Sequence, residues 1–129
     1  MAQPAIVETV VADLPRRSQR PIDLVHLAKQ CLGDENLELE ILRLFDKTLA
    51  TYFGRLKLAT SFDELSTNLH AIKGASAGVG ATGVAELAKA MEDELRATRP
   101  ISPERIDDLG VAVEEVHDFI ARMLAGTPA

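Results

Sequence analysis

The sequence predicts an all-α protein, an antiparallel four-helix bundle with a short additional helix at its N-terminal end. Three observations predict it. Leu and Ala dominate a chain that is 47% hydrophobic but only 4% aromatic and has no Trp, a composition that suits helix-on-helix packing. Apolar residues recur at threes and fours over four long stretches. Short breaks separate those stretches, which makes consecutive helices antiparallel neighbours. No run of β-branched residues with period-two alternation interrupts the pattern.

Each element has its own signals. Residues 1–20 hold Pro4, Pro15 and the basic run RRSQR with no sustained helical spacing, and are expected to form a flexible tail. Residues 21–125 form the expected domain. Pro21-Ile-Asp opens a short helix through Leu32, with Ile22, Leu24, Leu27 and Ala28 apolar and Gly33 as its stop. Asp34 caps the next helix, with Glu35 and Glu38 in its first turn. Its expected stripe is Leu37, Ile41, Leu44, Phe45, Thr48, Tyr52 and Leu56, widened by Leu42, Leu49 and Phe53. Ser61 with Glu64 three residues on is a capping box. Phe62, Leu65, Leu69, Ile72, Ser76 and Val79 make the inner face of the helix that follows. After the break at Gly80–Gly83, with Thr82 as the expected cap, Val84, Leu87, Ala88, Met91 and Leu95 repeat up to Arg99-Pro100. Ser102-Pro103 is a cap followed by proline at the first helical position. Ile106, Leu109, Val113, Val116, Ile120 and Met123 then line the last helix.

Composition also excludes functions. The net charge of -6 opposes nucleic acid and anionic membranes, both of which are held by Lys and Arg. The single cysteine, Cys31, permits no internal disulfide and no Cys-based metal site, and its neighbours Leu27, Ala28 and Leu32 make it a small buried hydrophobe. The N-terminus lacks the charged and apolar regions of a signal peptide. No stretch is long enough to span a bilayer. A cytoplasmic protein is expected.

One constellation carries chemistry. On a wheel of roughly 100° per residue, His70 lies about 140° from Leu65, away from the inner face. Its neighbours one turn away are Ser66, Lys73, Gly74 and Ala77, so the imidazole stands on a nearly bare patch. Interior glycines such as Gly74 and Gly78 each cost about 1 kcal/mol relative to Ala. Either a neighbouring helix packs on them beside a bystander histidine, or something docks there. The hairpin favours the second. His70 lies eleven residues before Ala81 and Glu92 eleven after it, so at about 1.5 Å per residue both stand at one height. Glu92, at the edge of its apolar stripe, can accept a hydrogen bond from His70 Nδ1–H and leave Nε2 with an outward lone pair. Lys73, and Arg96 one turn beyond Glu92, add positive charge of the kind that phosphoryl transfer uses. The plainer reading of Glu92 and Arg96 is a solvated i,i+4 ion pair between them, and for Arg96 that reading stands beside a phosphate or partner contact.

The run HAIKGASAGVGA followed by AELAKAMEDELR resembles the histidine-containing phosphotransfer (HPt) domain of two-component phosphorelays. The motif is His70, Lys73, Gly74, a small Ala75 and Gly80. The resemblance extends over roughly residues 22 to 124, including LGDENLELEILRLF. It implies a bacterial phosphorelay carrier without kinase activity, in which His70 accepts a phosphoryl group on Nε2 from a receiver-domain aspartate and passes it to another receiver. It further implies that Lys73 sits beside the phosphoryl group, that Gly74 keeps the site open and that Glu92 bonds the imidazole. Ser66, Gly74, Ala77 and Arg96 are the expected partner or phosphate contacts, with Ala81 on the same face. No cofactor of its own is expected, because the Mg²⁺ belongs to the receiver. The partners implied are receiver domains of hybrid histidine kinases and response regulators, met by a monomer. The alternative is a helical adaptor or dimerisation module with His70 incidental.

Two other motifs fail on context. Gly78-Val-Gly80-Ala-Thr-Gly83 is a literal GxGxxG but follows a helix, where a dinucleotide site needs a strand. Glu114-x-x-His117 matches half of a di-iron site, yet has no second copy and sits outside the Val113–Val116–Ile120 face. His117 and His26 are expected to be ordinary surface residues.

Overall fold

The computed structural model describes residues 20–126. Five helices occupy them: α1 (Leu24–Gln30), α2 (Glu35–Leu58), α3 (Phe62–Val79), α4 (Thr82–Arg96) and α5 (Pro103–Leu124). No strand occurs among the described residues. The segment expected as a tail lies outside them, apart from Arg20.

Most helix starts follow the local signals. Asp34 accepts from Leu37 N–H and Ser102 from Arg105 N–H, each closing a first turn. Ser61 accepts from Glu64 N–H, and Glu64 returns the contact through Ser61 Oγ and the Thr60 amide. These donors hold the Glu64 carboxyl below its usual range, the Ser61 hydroxyl most of all. Two expectations are corrected. α1 starts only after Asp23, whose side chain accepts from the amides of Val25 and His26, and it ends at Gln30. Thr82 does not cap α4. It is the first helical residue, and Ala81 stands at the N-cap with no side-chain bond.

α2 packs against α3 and α5, α4 packs against the same two helices, and α1 touches α2 and α3. The core between them takes Leu42, Phe45, Leu49 and Leu56 from α2, and Leu69, Ile72 and Val79 from α3. Val84, Ala88, Met91 and Leu95 come from α4, and Leu109, Val113, Val116, Phe119 and Ile120 from α5. The α2 stripe is therefore rotated from the expected one: Leu37 and Leu44 are exposed. α2 is apolar around much of its girth, and its packing partners decide which residues go inside. Phe62 is also exposed, because it begins α3 beyond the reach of the core. Cys31 is buried, and burial together with Glu38 and Asp34 pushes its thiol pKa up.

α1 is fastened across the C-terminal end of α3. Asp23 N–H donates to the Gly80 carbonyl at 2.9 Å, and His26 Nε2 meets the Gly78 carbonyl at 3.2 Å. Gly80 is required here twice over. Its φ is +87°, and a Cβ on it would lie 3.0 Å from the Asp23 carbonyl and 3.2 Å from the His26 ring.

Candidate functional site

The turn Gly80–Ala81 folds α4 back along α3 and brings His70 level with Glu92. His70 Nδ1 lies 3.4 Å from Glu92 Oε2, a long contact in which the ring N–H donates to the carboxylate. The ring is 73% exposed and the glutamate side chain only 8%. A ring tied through Nδ1 has Nε2 on its far side, away from Glu92.

Lys73 also converges on this carboxylate. Its Nζ stands 2.9 Å from Glu92 Oε1, and the lysine side chain is about one-quarter exposed. The approach is close but off-axis, so Oε1 has a neighbouring charge and no aligned donor. One shielded carboxylate thus holds both the imidazole and the ammonium. His70, Lys73 and Glu92 are brought together as a unit.

The other residues singled out from the sequence are distributed unevenly. Gly74 and Ala77 are exposed, and Ser66 is half-buried on the same stretch of α3. A Cβ at Gly74 or at Gly78 would meet nothing within 4 Å. Neither Cα is covered by a neighbouring helix of the described residues, although His26 of α1 reaches the Gly78 carbonyl, so close helix packing does not account for Gly74. Ala81, expected on the exposed face, is fully buried. Arg96 does not join the His70 group: its guanidinium pairs with Asp93 at 3.6 Å, one turn back on α4. It is a solvated ion pair, but with Asp93 three residues back and not the pair with Glu92 that the plainer reading expected.

Two histidines do more than the sequence suggested. His26 bonds the end of α3, as described above. His117 Nδ1 lies 2.8 Å from Asp46 Oδ1 and joins α5 to α2. The bond to Asp46 and that residue's charge raise the His117 pKa, with smaller contributions from Glu114 and Asp118. Both partners are far away in sequence, so no local pattern announced them. Asn68 is a third unforeseen residue: it is buried, and its amide donates to the Glu64 carbonyl at 2.8 Å. Among the described residues, no group of three potential ligands could hold a metal ion, and no helix is long and apolar enough to cross a membrane.

An exposed imidazole with one nitrogen tethered and the other free is a nucleophile suited to a reaction with a second macromolecule. The comparisons with known proteins concern the family and the fold. The Hpt domain family model matches residues 40–126. Among solved structures, the HPT domain of an Hpt sensor hybrid histidine kinase from Shewanella superposes with a TM-score of 0.72 at 19% identity, covering 84% of this chain and 97% of that one. At that identity the likeness concerns the fold. No curated protein matches the chain. The family match spans well over half of the chain, and the chain therefore belongs to the Hpt domain family, whose members are phosphotransfer carriers of two-component signalling.

Proposed function

We propose that this chain is a phosphohistidine carrier that shuttles a phosphoryl group between receiver-domain aspartates through His70. The observation that carries the reading is the His70 ring, 73% exposed while its Nδ1 is directed to Glu92. In the forward step the Nε2 lone pair attacks the phosphorus of an aspartyl phosphate. The N–P bond forms as the P–O bond to the aspartate breaks, and the carboxylate leaves with its electron pair. Nδ1 keeps its proton, donated to Glu92, and the ring takes up the positive charge. The reverse step delivers the group to another receiver.

Glu92 orients the imidazole, and Lys73 offers charge to the phosphoryl oxygens. Gly74 and Ala77, with Ser66 at their edge, leave room for the receiver surface. Arg96 is a partner contact at most, since Asp93 holds it one turn from the reacting ring. Mg²⁺ is a requirement of the receiver, and this chain supplies no cofactor. The ring of four long helices is read as an antiparallel bundle acting as a monomer in the cytoplasm, with partners from hybrid kinases and response regulators.

The test is phosphoryl transfer from a panel of phosphorylated receiver domains with Mg²⁺, to the wild type and to His70→Gln. Acid-labile, base-stable label on the wild type alone supports the carrier. No label from any receiver would move the adaptor reading to first place.

A further inference from the structure

The carboxylate that tethers His70 also holds the nearest ammonium, and the two tasks conflict once a phosphoryl group is present. Nucleophilic attack by Nε2 requires a neutral imidazole, beside which the Glu92 carboxylate and the Lys73 ammonium pair with each other. Phosphorylation on Nε2 adds a dianionic group on the side of the ring away from Glu92 and leaves a positive charge on the ring. One ammonium then faces two anions on opposite sides of the imidazole. Lys73 Nζ, 2.9 Å from Glu92 Oε1, is then drawn by both anions, and the closer it moves to the phosphoryl oxygens the weaker its hold on the carboxylate becomes. Its off-axis approach means that it is held by charge and not by an aligned hydrogen bond. If it leaves, Oε1 has no other donor, in a side chain that is only 8% exposed.

We propose that Glu92 withholds Lys73 from the phosphoryl group, and so keeps the phosphohistidine high in transfer potential and ready to pass its group on. This deepens the carrier reading and rests on it. Glu92 is then a positioning residue with two opposed effects. It aims Nε2 through Nδ1, and it competes with the phosphoryl group for the ammonium. A carrier gains from the second effect, because a phosphoryl group bound too firmly would not move to the next receiver.

The experiment is a phosphoryl exchange with N-phosphoimidazole, in which one N–P bond forms on His70 Nε2 as another breaks and free imidazole is released. Donor and product have the same bond type, so the equilibrium reports the protein site. ³¹P NMR on the full chain at several imidazole concentrations gives the exchange constant. Glu92→Gln keeps the shape and an acceptor for Nδ1–H while removing the charge. The expected result is a shift toward phosphoprotein of about fivefold, the scale of a partly exposed ion pair. In a Lys73→Gln background the same substitution should no longer shift the exchange toward phosphoprotein, because there is no ammonium left to release and only the loss of a carboxylate beside the cationic ring remains. No shift with Glu92→Gln, a shift in the opposite direction, or a shift that persists undiminished in the Lys73→Gln background would each overturn the proposal. The last of these would mean that the carboxylate disfavours the phosphoryl group by direct repulsion and not through Lys73. The carrier reading is judged separately by His70→Gln: wild type that takes no phosphoryl group, or takes it equally well without His70, overturns both.

Discussion

His70 and His117 each face a carboxylate across a contact between two helices, and the two pairs are built in opposite ways. At His117 the contact is short, 2.8 Å, and Asp46 is itself about one-quarter exposed. The strong bond raises the pKa of the ring, which therefore spends more of the physiological range as a cation. A protonated imidazole has no lone pair to offer. At His70 the contact is 3.4 Å, the acid is nearly buried, and its charge is divided between the ring and Lys73. That arrangement aims a ring without clamping it. A histidine beside a carboxylate is thus not enough to mark a nucleophile. Under the carrier reading, the length of the contact and the other claims on the carboxylate separate a pair that fastens two helices from one that presents a reactive nitrogen.

The sharpest way to break this comparison is to exchange the losses. His70→Gln should abolish acid-labile labelling by phosphorylated receivers while leaving the thermal midpoint close to that of the wild type, since the ring is mostly exposed. His117→Gln should leave labelling intact. Labelling that survived in the first variant or vanished in the second would reverse the assignment.

The glycines within α3 and at its C-terminal cap divide in the same manner. Gly80→Ala should destabilise the fold by about 1–3 kcal/mol, because an L side chain is strained at φ +87° and its Cβ would press on Asp23 and His26. Gly74→Ala should do the reverse and stabilise by about 0.5–1 kcal/mol, because it sits in open space within a helix. Urea denaturation measures both. The informative readout at Gly74 is the second one: a more stable protein that receives phosphoryl groups more slowly would show that the bare surface serves a partner. Unchanged transfer would remove Gly74 from the docking surface.

Much of this was legible in the sequence because it is local. The caps at Asp34, Ser61 and Ser102 act within one turn, and the inner faces of α4 and α5 repeat with a clear period. The level placement of His70 and Glu92 followed from equal spacing about a turn. What escaped had one of two physical causes. Where a helix is apolar on several sides, as α2 is, periodicity leaves the buried face to be chosen by its partners, and Leu44 went outside while Leu42 went in. Where a contact joins residues far apart in the chain, as His26 with Gly78 or His117 with Asp46, nothing in the neighbouring residues encodes it. Lys73 shows a subtler gap. The helical wheel placed it beside His70, but only the three-dimensional packing turned its ammonium toward Glu92.

The smallest effect concerns the His117 pair and depends on pH. Its pKa is raised in the folded chain, so the bond to Asp46 contributes stability that is fully present below the unfolded value of about 6.5 and is lost as pH rises through the higher folded value. The ring is 55% exposed, so solvent screening limits the contribution to under about 1 kcal/mol. Asp46→Asn should therefore lower stability at pH 5.5 by a few tenths of that scale or more, and the difference from wild type should close toward pH 8.5. Denaturation midpoints measured across that interval check it. A difference that stayed constant with pH would mean that Asp46 contributes through packing of α2 on α5, and that the contrast with the His70 pair lies in geometry and not in the proton.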